Sequence, residues 1–499
     1  MTVLSSPVVH PWLRRGLWVA FVPGLSTTAL LEEVVEHLLD RFRRRGDLVQ
    51  PTPAEGTDLI LTTAPFGEPI GWRESLLLTA RRRFRLSRTP TIVTLVHVTR
   101  REFRRLLGHF RSALSRPSPS PEDFTFPGLA PEAWRVLVEQ GRRGGPLLAL
   151  ERMVQAQAKC LRILLFVGDH HPEAAYAFDL VGAYPCCRMV EPDSFYDDLV
   201  TRIVTAVSVE EITHHVPQEP PIPYALWQRL STPPAMAEAA RQLSRRNFFT
   251  EMVRIADLVH VPAVSDAVAE QYSEGCFATW EPQLGALIAT VTGSARPVDK
   301  RQITEDDLAV ITGVRPDGRG AFYRPVEKKQ NDPPSSEAVE MFAMDGELPR
   351  VRWETPDGAA EVPVARSKLH GHRGVAAYDP RYVEYVPIAP PYQCYPVSCG
   401  TSAQAEGIVE AFRQAECLRH PEDPRPVAFT ILPGHGVFIV EKWVPGKAPF
   451  QVIWELMDTG ALQIDTFVPQ GPLTYLPDPT GRMRAQTEDP LGWLEEDGE

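Results

Sequence analysis

The first half of the chain alternates between strand-like apolar runs and stretches with helical apolar spacing, and that alternation restricts the possible folds more than any other feature. Residues 17–22 form a buried-type run that ends at Pro23-Gly24. Leu30, Leu31, Val34, Val35, Leu38 and Leu39 then recur at helical spacing, with Ser26, Thr27 or Thr28 as the cap. Residues 58–63 and 91–96 are further strands, followed by helix-like segments over 72–83 and 100–114, and residues 161–167 add another strand. Strands alternating with helices predict βαβ crossovers and an open, mainly parallel sheet.

Ligands of such sheets bind beyond the carboxyl ends of the strands. The segments there are Pro23-Gly24-Leu25-Ser26-Thr27, Ala64-Pro65-Phe66-Gly67, His97 and Gly168-Asp169-His170-His171. None is a phosphate motif, since the chain has neither Gly-x-Gly-x-x-Gly nor Gly-Lys-Ser/Thr. Asp169, His170 and His171 have two readings, a second metal site or a solvated loop. The arginines Arg81, Arg82, Arg83, Arg85, Arg88, Arg100, Arg101, Arg104 and Arg105 suit anion recognition or a solvated helix face, and the second reading needs no ligand.

Prolines mark the boundaries. A proline-rich stretch over 116–127 interrupts the first region, and another over 217–234 separates the halves. The expected organisation is an α/β domain over 1–216, a linker over 217–234, a second domain over 235–468 and an acidic, proline-rich tail over 469–499. A chain of 499 residues with 43% hydrophobic content is long enough for two or three domains. Its net charge of −12 argues against broad electrostatic binding to nucleic acid. Seven cysteines without a Cys-x-x-Cys pair suit a reducing compartment, so a cytoplasmic location is expected. No apolar run approaches the ~20 residues of a membrane span.

The second half carries an ordered set of polar signals: Thr292-Gly293, Pro333-Pro334-Ser335-Ser336-Glu337, His370-Gly371-His372 and Gly434-His435-Gly436. Three histidines and a glutamate suit a metal site, since catalytic zinc takes about three protein ligands and keeps one position open. On a strand, residues i and i+2 point to the same face, so His370 and His372 can converge on one ion. Each element also has a plainer reading. Ser335 is a good helix N-cap with Glu337 in the first turn, and Gly-His-Gly after a strand is commonly just a turn.

In this order the signals resemble those of the class II aldolase/adducin family over residues 236–467. The stretch from Leu284 to Thr292-Gly293, followed by Asp299-Lys300 and the Thr304-to-Leu308 segment, looks like the family's strand, turn and helix start. Pro334-Ser335-Ser336-Glu337 looks like its Pro-Ser-Ser-Glu, and Ile388 to Tyr392 with Gly400-Thr401 like the stretch before its last metal histidine. The run from Phe429 through His435 to Val440 looks like the strand carrying that histidine. The resemblance implies an α/β/α sandwich around a largely antiparallel sheet, with Zn²⁺ or another divalent metal on His370, His372 and His435. It implies Glu337 beside the metal as ligand or general acid/base, and substrate phosphate near Thr292, Gly293, Ser335 and Ser336. A homo-oligomer, commonly a tetramer, acting on a small-molecule substrate is implied as well.

Two departures from the family pattern bear on the substrate. Gly275-Cys276-Phe277-Ala278 stands where the sugar-phosphate aldolases carry Gly-Asn-x-Ser, which removes one phosphate donor. Residues 345–363 read as an inserted hairpin, and no tyrosine can be assigned the family's catalytic role. The expected function is metal-dependent lyase or epimerase chemistry on a sugar or sugar phosphate. The alternatives are a dehydratase or isomerase using the same metal, and a non-catalytic adducin-like binding protein.

Overall fold

A computed structural model describes residues 15–24, 27–64, 90–120, 138, 142, 163–167, 174–178, 183–187, most of 195–207, 214–249, 275–292, 300–318, 320–355, 358–388, 402–432, 436–465, 474–477 and 483–486. The helix expected at 72–83, the arginines from Arg81 to Arg88, the Gly168-Asp169-His170-His171 turn, Gly293, His435 and most of the tail lie outside the described residues.

The first seven strands are β1 (Trp18–Val22), β2 (Leu48–Gln50), β3 (Leu59–Ala64), β4 (Thr91–His97), β5 (Ile163–Val167), β6 (Ala174–Phe178) and β7 (Ala183–Cys187). They form one sheet in the order β2-β1-β3-β4-β5-β6-β7. The first five are parallel and the last two antiparallel, so the expected mainly parallel sheet is present. Helix α1 (Ala29–Arg44) starts at Thr28, whose side chain accepts from the Leu31 N–H, and buries Leu31, Val34, Val35, Leu38 and Phe42 against Val19, Leu59, Leu61, Val93 and Leu95. Helix α2 (Arg100–Ser115) begins with a Thr99/Glu102 capping box and turns Phe103, Leu107 and Phe110 inward, leaving Arg101 and Arg105 exposed. Those arginines therefore lie on a solvated helix face.

The turn after β1 is explained by packing. A Cβ on Gly24 would lie 1.8 Å from the Thr63 carbonyl oxygen, so only glycine fits. The Gly24 N–H donates to Thr63 Oγ1 at 3.0 Å, and Thr27 Oγ1 lies 2.8 Å from the same hydroxyl.

The second sheet has nine strands. Its members are β8 (Val216–Pro217), β9 (Cys276–Glu281), β10 (Ala286–Thr290), β11 (Leu308–Val314) and β12 (Ala321–Arg324), then β15 (Ala365–Gly371), β17 (Val383–Tyr385), β18 (Val427–Leu432) and β19 (Gly436–Lys442). The order is β17-β18-β19-β15-β9-β10-β11-β12-β8. Pairing is antiparallel except at the two edges, where β17–β18 and β12–β8 are parallel. The hairpin expected within 345–363 is β13 (Arg350–Thr355) with β14 (Gly358–Pro363), while β16 (Gly374–Tyr378) pairs with a strand at Leu462–Asp465.

Alternation along the strands divides the core in two. Phe277, Ile288, Leu369, Val437 and Ile439 face α3 (Thr232–Arg245) and α6 (Gln451–Asp458). Cys276, Leu287, Ile311, Phe438 and Val440 face α4 (Ala338–Glu347) and α5 (Ser402–Gln414). The 217–234 stretch belongs to this packing: Pro217 lies in β8, Ile222, Trp227 and Leu230 are in the core, and α3 begins at Thr232. Proline there replaces an edge N–H or fits the first turn of a helix, so the composition that suggested a linker also suits an edge strand and a helix start. Among the described residues no helix is long and apolar enough to cross a membrane.

Glu441 interrupts the apolar row of β19. It is fully buried on the Val437/Ile439 face, near Arg366, Glu455 and the Phe450 N–H. Burial pushes its carboxyl up to about 8, against the opposing pull of Arg366 and the Phe450 amide. The folded value lies above the ordinary glutamate value of about 4.3, so the contribution of this group to stability is full below that pH and is lost as pH rises through about 8. In urea denaturation Glu441→Gln is expected to match the wild type near pH 5. Toward pH 9 it should become the more stable protein by on the order of 5 kcal/mol at most.

Candidate metal centre

One end of the nine-stranded sheet gathers the polar signals of the second half. The segment 333–335 runs beside the end of β10: the Thr292 N–H donates to the Pro333 carbonyl at 2.9 Å and the Ser335 N–H to the Thr290 carbonyl at 3.0 Å. This pairing brings Thr292 and Ser335 together and delivers Glu337 to the start of α4. Ser336 lies in the turn between them. Ser335 is not the N-cap. Glu337 occupies that position, the Ala338 N–H is satisfied by the Ser335 carbonyl at 3.0 Å, and the Ser335 hydroxyl donates to Glu337 Oε2 at 3.4 Å.

His370 comes from β15, whose register places it opposite Cys276 on β9 and Phe438 on β19. Glu337, His370 and His372 can each offer one ligand atom, with these atoms all within 4.8 Å of one another. Glu337 and His370 are buried, and His372 is partly so. The rings of His370 and His372 are 5.3 Å apart between centroids. Two glycines permit this turn. A Cβ on Gly371 would meet the Phe248 ring at 2.5 Å, and one on Gly436 would lie 2.1 Å from the Gly371 carbonyl oxygen. His435, expected as the third imidazole, lies outside the described residues and immediately precedes Gly436 in the chain.

The donor chemistry fits a cation. His370 Nδ1 lies 3.1 Å from the Val437 carbonyl oxygen, which can only accept, so Nδ1 carries a proton. In the neutral ring Nε2 is then an acceptor, and it faces Glu337 Oε1 at 3.3 Å. Two acceptors at that distance in a buried site repel unless a proton or a metal ion lies with them. A backbone carbonyl that fixes the tautomer is the usual outer support of a metal-bound histidine.

The electrostatics favour the carboxylate form of Glu337. Burial raises its carboxyl, but His370, the Cys276 contact, His372 and Lys300 more than offset this and hold it below the ordinary glutamate value. Glu337 is thus suited to act as ligand or base. Burial pushes the Lys300 ammonium down to about 8, with Cys276 and Glu337 pulling the other way. The Cys276 thiol is pushed up by burial and by Glu337 and Glu340. Lys300 and Glu340 were not singled out from sequence, because an isolated lysine or glutamate carries no signal until the fold buries it. Cys276 was visible only as a departure from a family motif.

No protein-family model matches the chain, and no curated protein matches it.

The close approach of Gly436 to Gly371 gives a direct test of this local geometry. Gly436→Ala should force β19 away from β15 and destabilise the fold by on the order of 2–4 kcal/mol in urea denaturation. A change within about 0.5 kcal/mol, typical of ordinary surface substitutions, would contradict the packing described.

Proposed function

We propose that the chain is a divalent-metal-dependent enzyme that cleaves or epimerises a carbon centre next to a carbonyl in a small polyhydroxy compound. The observation that carries this reading is the buried contact between Glu337 Oε1 and His370 Nε2 with His372 beside it, two acceptors that a cation reconciles. The ordered resemblance to class II aldolase/adducin proteins supplies the reaction class, and His435 is taken as the third imidazole from that resemblance. Zinc suits two or three imidazoles and a carboxylate.

A bound divalent cation supplies positive charge to the oxygen on which charge builds during carbon-carbon scission or proton abstraction. Glu337 contributes two different oxygens. Oε1 faces the histidines, while Oε2 accepts from the Ser335 hydroxyl and can exchange a proton with the substrate. Thr292 and Ser335 border the same end of the sheet and orient a hydroxyl or a phosphate of the substrate. The family resemblance adds a homo-oligomer, commonly a tetramer, to the proposal.

Elemental analysis of protein purified without chelators is expected to give close to one zinc or similar ion per chain, lost in His370→Ala. Metal-dependent turnover is expected in a screen of ketose phosphates, ketoses and hydroxy-oxo acids, falling by about 10²-fold or more in Glu337→Gln. Product analysis separates scission from water loss. Metal without turnover would leave a binding protein, and no metal even after incubation with zinc would remove the proposal.

A further inference from the structure

Behind the candidate metal centre, α4 and the sheet are connected by three contacts in sequence. Glu337, Met341 and Asp345 are spaced four residues apart, so they lie along one stripe of the helix, about 6 Å apart at ~1.5 Å per residue. Glu337 Oε1 is 3.3 Å from His370 Nε2. Met341 Sδ is 3.9 Å from the thiol of Cys276, the residue opposite His370 on β9. The Asp345 carboxylate pairs with the ammonium of Lys368, which is two residues before His370 on β15 and opposite Ala278, two residues after Cys276. From Glu337 to Asp345 the helix advances about 12 Å, while from His370 to Lys368 the strand advances about 6.8 Å. The three contacts therefore lie along one stripe of the helix, with the Glu337–His370 contact at one end and an ion pair at the other.

That ion pair is a poor stabiliser. Lys368 is fully buried, Asp345 nearly so, and Asp345 Oδ2 has no hydrogen-bond partner among the described residues. Charges taken out of water cost several kcal/mol each unless fully hydrogen-bonded, and a well-packed apolar pair in the same volume is often as stable or more so. The pair is, however, directional. Beside the buried Glu340, α4 packs on the sheet through Ala338, Met341, Met344 and Leu348, and apolar contacts tolerate small slides and rotations that would separate a carboxylate from an ammonium.

We infer that Asp345 and Lys368 form a positioning pair that fixes the register of α4 against β15 and thereby sets the distance between Glu337 and His370. Neither residue touches the ligand site. Their effect reaches it along the helix axis, two turns toward the N-terminus. This inference rests on the metal reading above, and its expected signature is metal affinity that depends on the pair while the fold does not.

The test uses the full chain with Asp345→Leu and Lys368→Met combined, which removes both charges at similar volume. Two quantities are measured: the zinc dissociation constant, by competition with a chromophoric chelator, and the thermal midpoint of the metal-free protein. The expected result is a midpoint equal to or above that of the wild type, with zinc bound at least about tenfold more weakly, the scale at which outer supports of metal sites act. Should that variant fail to fold, Asp345→Asn with Lys368→Gln replaces it, with the same two readouts. Wild-type zinc affinity in a folded double variant would overturn the positioning role while leaving the metal centre intact. Unfolding of both double variants would overturn it too, by making the pair a folding requirement. A wild type that binds no zinc would remove the metal centre and this inference together.

Discussion

The nine-stranded sheet and its helices are organised around a buried acid–imidazole contact that requires a proton or a cation between its partners. The Val437 carbonyl holds Nδ1 of His370, which turns Nε2 toward the Glu337 carboxylate in a site lined by Phe438, Cys276 and Met341. In water such a pair would separate or recruit solvent. Here the histidine is held by a strand paired on both sides and the glutamate by the start of a packed helix, so neither can withdraw. A proton on Nε2 would make the contact an ion pair, and a divalent cation between them would convert mutual repulsion into two attractions, which is the basis of the metal proposal.

The scaffold follows from simple rules. Alternation along β9, β15 and β19 sends Phe277, Leu369 and Ile439 to one helix layer and Cys276, His370 and Phe438 to the other. His370 occupies a position that the pattern reserves for the core. Glycine at 371 and 436 removes the side chains that would otherwise separate the backbones around His370-Gly371-His372. Lys368 and Glu441 add further buried ionisable groups to β15 and β19, which are costly to desolvate, with Arg366 partly buried near Glu441.

Much of this was legible in the sequence where the signal is local. The parallel sheet of the first half followed from apolar runs separated by helical spacing, and Thr28 and Thr99 cap the helices where small hydroxyl residues precede apolar periodicity. The convergence of Glu337 with His370 and His372 was legible only because several weak signals kept their order. Long-range register was not. Nothing in the sequence tells Lys368 from a solvated lysine until β15 is placed between β9 and β19, or pairs it with Asp345 until α4 is laid across the strands. The proline-rich stretch at 217–234 shows the converse: composition suggested a connector, and tertiary packing made an edge strand and a helix start of it.

The central claim, that Glu337, His370 and His372 hold a divalent metal, is tested most directly by anomalous diffraction at the zinc edge from crystals grown with zinc. A single strong peak at about 2.0–2.2 Å from a ring nitrogen of each histidine and from a Glu337 oxygen is the predicted result. Zinc found only at other sites, with His370 and Glu337 still in direct contact, would contradict it.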